Sequence, residues 1–309
     1  MTEVQLQGIE AVEGWLRGPV RTPRNRASSE WQARRGPDAA GRPGRAGGNI
    51  HDDATAQKLG FRGGTIAGSI HLDQFPPVVI AAFGQRWFEE GSISLQFRNA
   101  TIDAEPVVAM VRLPDGPAPQ VEARMDRADG MLVADGTAGC GGTEQTYLDA
   151  IDLRPAAPDE LRLLAGVRPG SALTGRTFTV DSAAQRERIE QGAITEPLGW
   201  YTGPSPWGPP IVNPSAIVQL IRNGRDDFGP HIADAVGLFS AIELRFHAGP
   251  LRCDTEYRVS GEIVSVGASP KTEYVWYDSR ATAGTGEVAV SMRMQLRWMK
   301  ASSPLYADG

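Results

Sequence analysis

Four histidines, His51, His71, His231 and His247, are the side chains of this chain that change charge near neutral pH without an unusual environment. An imidazole can accept a proton and return it within one reaction cycle. No two of them have a spacing such as His-Glu-x-x-His, so no metal is expected, and no cofactor either. His51 stands in Asn49-Ile-His-Asp-Asp53, a short polar cluster ahead of Gly60-Phe-Arg-Gly-Gly-Thr-Ile-Ala-Gly-Ser-Ile-His71. Asn49 either orients a substrate and the His51 ring or caps a helix. Asp52 and Asp53 are either reactive carboxylates or the acidic first turn of a helix through Ala54–Leu59. Gly63, Gly64 and Gly68 bracket the start of a further helix. A backbone N–H there, with no partner inside the helix, is a natural donor to a developing oxyanion, and Gly68 is the leading candidate. Glycine also allows close approach of a substrate carbonyl or of a packed sheet. His71, three residues into that helix, is either a substrate contact or a satisfied core imidazole.

Positioning such groups requires regular elements, and the chain supplies them twice. Gly60–Phe75 and Trp207–Ile221 share one layout, a Gly/Pro turn followed by apolar residues at helical spacing. Gly91–Arg98 and Ser240–His247 both alternate apolar and polar, with Phe97 and Phe246 lying 149 positions apart. Glu122–Asp126 and Tyr274–Asp278 repeat at an offset of 152. Each half predicts one longer helix, near 67–83 and 214–225. Four alternating strands follow each: 92–99, 105–113, 120–126 and 131–138, then 239–248, 255–267, 272–281 and 286–299. Asp115-Gly116, Asp129-Gly130 and Ala283–Gly286 mark turns. A curved antiparallel sheet wrapped around one helix buries both apolar faces. The fold class is therefore α+β, with a first unit over 1–150 and a second over 151–309, and a Pro/Gly-rich linker near 150–172.

The run Asn49-Ile-His-Asp-Asp53, then Leu59-Gly-Phe61, Gly63-Gly64 and Thr65-Ile-Ala-Gly68, resembles the signature of MaoC-like, or R-specific, enoyl-CoA hydratases. That family reads Asp-x-Asn-Pro-aliphatic-His, then a Gly-Phe turn, then Ile-Ala-His-Gly. The resemblance implies a tandem, or double, hotdog. It implies His51 as catalytic acid and base, the N–H at Gly68 as oxyanion donor, Gly64 beside it, and an acyl thioester on coenzyme A or an acyl carrier protein. The chain departs from the signature where Gly47 or Ala46 stands in place of the family's aspartate. Asp52 could supply that carboxylate. So could Glu196, which the repeat offset places near the counterpart of His51. Trp200, Tyr201 and Trp207 either line an apolar substrate pocket or form a rigid cover over the second helix. The implied activity is hydration or dehydration of an enoyl or 3-hydroxyacyl thioester, or of a related conjugated carbonyl. A non-catalytic acyl-binding hotdog module and a hotdog thioesterase are the alternatives.

Composition narrows the partners. The 309 residues carry a net charge of −6, which argues against nucleic acid. An arginine-rich stretch between 17 and 45, with Arg34, Arg35, Arg42 and Arg45, is either a solvated loop or a basic lip for a phosphorylated carrier. Cys140 and Cys253 give no disulfide framework. No apolar run has the length of a membrane span, and Met1–Leu6 lacks a signal-like core, so a cytoplasmic location is expected. Either a monomer or a homodimer satisfies the pairing of hotdog units.

Overall fold

Alternating apolar and polar residues become strands wherever β-branched side chains can face a common core. The computed structural model describes residues 6, 8–26, 49–116, 119–142, 144–222, 225–233 and 235–307. The first half contains β1 (Glu10–Val12), β2 (Trp15–Arg17), α1 (Asp53–Lys58), α2 (Gly68–Leu72), α3 (Pro76–Phe83) and α4 (Trp87–Glu90). It continues with β3 (Gly91–Phe97), β4 (Val107–Arg112), β5 (Gln120–Arg127) and β6 (Leu132–Cys140). The second half contains β7 (Arg176–Thr179), α5 (Ser182–Glu190), α6 (Pro214–Ile221), β8 (Gly237–Phe246), β9 (Glu256–Ala268), β10 (Thr272–Thr282) and β11 (Val288–Met299). Asp129-Gly130 does make the turn between β5 and β6, where Gly130 has φ +86°, a value that favours glycine.

Among the described residues, eleven strands form one antiparallel sheet in the order β1-β2-β4-β5-β6-β3-β8-β11-β10-β9-β7. The eight strands expected from alternation are present to within two residues at each end. The short β1, β2 and β7 carry too little pattern to be read in advance. Apart from the additional edge strand β1, the order is symmetric about the β3–β8 pair. At its centre Ser94 stands opposite Glu243, and these two are themselves 149 positions apart, the spacing of Phe97 and Phe246. The local two-fold axis of the repeat therefore passes through this pair.

The helix expected over 67–83 is two helices. Pro76 and Pro77 lack the N–H groups that would continue α2, so Asp73–Phe75 turns the chain before α3 begins. The helix expected over 214–225 stops at Ile221. One apolar cluster runs through both halves, including Phe75, Val79, Trp87 and Phe88 from the first and Ile217, Val218, Phe246 and Tyr277 from the second.

The connection between halves docks on the outer face of the sheet across the junction. Leu148 is fully buried there against Ala241, Tyr274 and Trp276. Its N–H donates to Ser94 Oγ at 3.0 Å, and Thr146 Oγ1 donates to Glu243 Oε2 at 2.6 Å. Asp149 then pairs with Arg245 (2.8 Å) and Arg293 (3.1 Å). This segment touches both strands of the central pair. Leu148→Ala should lower the free energy of unfolding by about 3 kcal/mol. A urea titration followed by tryptophan fluorescence should still show a single transition, because both halves share one core.

Candidate active site

His51 reaches its position through a loop tied at each end to backbone. Thr65 N–H donates to Ile50 O at 3.0 Å, and Asn25 Nδ2 donates to the His51 carbonyl at 2.8 Å. Asn49 Oδ1 accepts from His51 N–H at 3.2 Å. Asp53 Oδ1 accepts from Gly64 N–H at 2.7 Å. Gly64 has no room for a side chain, since a Cβ would lie 2.4 Å from the His51 carbonyl oxygen. The His51 ring is oriented by a 2.6 Å contact from Nδ1 to the carbonyl of Thr65. A carbonyl only accepts, so Nδ1 carries the proton, and in the neutral ring it is Nε2 that bears the lone pair.

His51 lines a cleft of about 340 Å³ that both halves enclose. The first half contributes Asn49, Gly68, His71, Phe97 and Thr101, and the second contributes Gln219, Arg222, Leu238, Phe239 and Ser240. Gly68 opens α2 in contact with the Phe97 ring, where a Cβ would come within 2.5 Å. Among the described residues, the N–H groups of Gly68 and Ser69 meet no acceptor. His71 is buried and holds Thr101 Oγ1 at 2.8 Å through Nε2. Burial depresses its pKa from 6.5 to about 4, so it is a neutral imidazole at physiological pH.

The matching region of the second half is closed. The helices α2 and α6 start 146 positions apart, and two contacts exchange under that spacing. Gln219 Nε2 donates to Ser69 Oγ at 3.0 Å, and Asp73 Oδ1 accepts from Ser215 N–H at 2.7 Å. Gln219 thus bonds a hydroxyl and leaves the start of α2 to the cleft. Asp73 instead puts a carboxylate oxygen on the N–H at the start of α6. Asn213 Nδ2 donates to the same oxygen at 2.9 Å and to Ser215 Oγ at 2.8 Å, so this N-cap residue serves the Asp73 contact. Burial raises the Asp73 carboxyl pKa, against the hydrogen bonds from Ser215 and Asn213.

The remaining sequence candidates fall elsewhere. Asp52 is exposed and caps α1, accepting from Thr55 N–H at 2.9 Å. Glu196 is buried beside Arg21 at 2.8 Å and faces Asp73, not the His51 cleft; its carboxyl pKa is raised by burial, with Arg21 opposing the shift. Two-fold symmetry explains this, because a residue at the counterpart of the His51 loop faces the second half's own region. Trp200 and Trp207 stack edge to face and meet Phe88, and Trp207 Nε1 donates to Glu89 at 2.8 Å. Tyr201 is fully buried, with its phenol pKa pushed well up by burial. These three rings build core, where their area is better buried than on a half-polar wall. The cleft wall of the second half comes from α6 and β8. Gln219 lies in α6, and Arg222 follows the last residue of that helix. Gly47, Ala46 and the arginines Arg34, Arg35, Arg42 and Arg45 lie outside the described residues.

No family model matches the chain, and no curated protein matches it in sequence. Solved structures do match. A putative MaoC-domain dehydratase from Chloroflexus aurantiacus aligns over 96% of this chain and 98% of its own, with TM-score 0.60 at 11% identity. A conserved hypothetical protein of Mycobacterium tuberculosis with a double hotdog fold aligns over 91% and 94%, with TM-score 0.55 at 12% identity. A MaoC-like dehydratase aligns over 92% and 97%, with TM-score 0.50 at 12% identity. At such identities the likeness is one of fold.

A buried neutral imidazole leaves a mark on stability. The unfolded chain takes up a proton at His71 near pH 6.5, and the folded chain does so only near pH 4. Folding stability contributed at this site is therefore complete above pH 6.5 and falls by roughly 3 kcal/mol as pH drops toward 4. Denaturant titrations of wild type and His71→Gln should diverge over that window and run parallel above it.

Proposed function

We infer that the chain, which has the double-hotdog fold, works at the cleft that both halves enclose beside His51. Among the described residues no helix is long and apolar enough to cross a membrane. We propose that the protein is a hydro-lyase acting on an enoyl or 3-hydroxyacyl thioester, carried on coenzyme A or an acyl carrier protein, or on a related conjugated carbonyl. The observation that carries this reading is the His51 ring in the cleft, held by Thr65 in the tautomer whose Nε2 can accept a proton.

The chemistry follows from the groups on the cleft wall. The thioester carbonyl takes hydrogen bonds from the N–H groups at the start of α2, and negative charge gathers on that oxygen as the reaction proceeds. His51 Nε2 removes a proton from water as the water oxygen bonds to the β-carbon. The C=C electron pair moves toward the carbonyl, giving an enolate. The imidazolium then returns its proton to the α-carbon. The reverse sequence expels water. One imidazole serves both proton transfers, which suits a wall that bears no carboxylate among its described residues. The same lack disfavours a thioesterase that depends on a carboxylate to activate water. Asn49 and Asn25 act as positioning residues through the His51 backbone.

Incubation with a short trans-2-enoyl thioester, followed by loss of the enoyl absorbance, tests the reading. His51→Ala should lower turnover at least about 100-fold. Gly64→Ala should also lower turnover while leaving the imidazole in the chain, because the added Cβ displaces the His51 carbonyl. Free thiol instead of hydrated product would replace this reading with thioester hydrolysis. Binding without either product would replace it with an acyl-binding module.

A further inference from the structure

His71 is a buried titratable group on the cleft wall that the proposed proton transfers leave unused. Its Nδ1 meets no hydrogen-bond partner among the described residues. A buried polar atom without a partner lowers stability, and an apolar side chain would fill the same space beside Phe97 without that cost. What the imidazole supplies is its other nitrogen, Nε2, which holds Thr101 Oγ1 at 2.8 Å. Thr101 lies between β3 and β4 and is itself buried. Its carbonyl accepts from Ile66 N–H at 2.9 Å, and the next residue, Ile102, pairs with Thr65 in an isolated antiparallel bridge. Thr101 thus grips the segment 66–71 at both ends, by its backbone at Ile66 and by its side chain at His71. Two functional groups depend on that grip. Gly68, with its N–H at the start of α2, stands inside the segment. Thr65, whose carbonyl accepts from His51 Nδ1 at 2.6 Å, stands directly before it.

Resting on the reading of His51 as the acid and base of the cleft, we propose that His71 is a positioning residue. By holding Thr101 it fixes the Thr65 carbonyl that selects the His51 tautomer, and with it the start of α2. The selection is a matter of acceptors and donors. With Nδ1 unprotonated, the His51 ring would turn a lone pair toward a carbonyl oxygen that can only accept, so the ring carries its proton there. If the Thr65 carbonyl shifts away, that selection weakens, and a fraction of the rings present Nε2–H to the water and cannot take its proton. An imidazole suits the task at position 71. Few rotatable bonds carry it, so little freedom is lost in holding the hydroxyl. Being neutral at physiological pH, it places no second positive charge in the cleft that the His51 imidazolium must share.

The test reads the His51 ring directly, by nitrogen magnetic resonance of the full chain carrying isotope-labelled histidine, at about pH 8, above the ordinary imidazole pKa. Ring-nitrogen shifts distinguish the tautomers, and the His51 signals are those lost in His51→Ala. The wild type should show His51 as the Nδ1–H tautomer. His71→Ala and Thr101→Val should each turn it into a mixture, and each should lower kcat about 10-fold with KM changed less than about 2-fold. His71→Gln, whose amide still bonds a hydroxyl, should retain most of both properties. Combining His71→Ala with Thr101→Val should be no worse than either alone, because both remove the same bond. Thr101→Val exchanges a hydroxyl for a methyl of similar size, so it carries the test should His71→Ala not fold. A His51 that keeps its Nδ1–H tautomer in Thr101→Val overturns the proposal, whatever happens to stability, since His71 would then be a core side chain only. Effects of the two substitutions that simply add overturn it as well. Turnover of an enoyl thioester by the wild type separates this proposal from the one beneath it. Hydration with an unchanged tautomer in the variants sinks the positioning role alone. A shifted tautomer in a protein that hydrates no enoyl thioester sinks the lyase alone.

Discussion

The antiparallel ladder between β3 and β8 is the constraint on which the rest of the molecule depends. It joins two sheets into one and sets their relation through five residue pairs, from Ser92 opposite Arg245 to Gln96 opposite Ala241. With period-2 side-chain alternation, a slip by one residue would turn every inward side chain outward. The register therefore decides how α2 of one half meets α6 of the other, and whether Gln219 can reach Ser69. A cleft walled by His51 from one half and Arg222 from the other exists only because this pairing is fixed. The docked segment around Leu148 braces the same junction from the outer face of the sheet.

Within that symmetric frame the two halves treat the same backbone feature in opposite ways. The start of α2 faces the cleft with N–H groups that meet no acceptor among the described residues. The start of α6 is covered by Asp73. The contrast arises from one helical position, which holds Asp73 in the first half and Gln219 in the second. A carboxylate oxygen is a strong acceptor and settles on an N–H, whereas the Gln219 amide nitrogen is a donor and settles on a hydroxyl. Around Asp73 the chain gathers Asn213, Ser215, Tyr201 and Glu196 into a buried polar cluster that joins the halves. A few side chains thus determine which half keeps an accessible site.

The repeat, the strand alternation and the turn residues revealed most of the architecture, because burial of one sheet face imposes a period that local sequence must obey. The break at Pro76-Pro77 was equally present in the sequence, but helical spacing of apolar residues on both sides masked it. The His51 loop and the Gly64–Gly68 turn were legible through residue types that few structural roles require. Glu196 shows the limit of the repeat as a guide. The offset locates the residue on its own unit, and it takes the sheet register to say which cleft that unit faces. Trp200, Tyr201 and Trp207 show another limit, since an aromatic cluster has the same composition whether it lines a site or fills a core. Arg222 lacked a signal of its own until α6 was placed against β8.

Two identical units assembled as a homodimer must carry every substitution twice, once at each site. Covalent fusion removes that duplication. In this chain, position 73 could become acidic and close one region without introducing an acid at position 219 on the cleft wall, and position 222 could hold a cation while its counterpart, position 76, holds a proline. Each half is thereby free to specialise, one toward cohesion and the other toward a ligand. The fold keeps its outward symmetry while its inheritance need not.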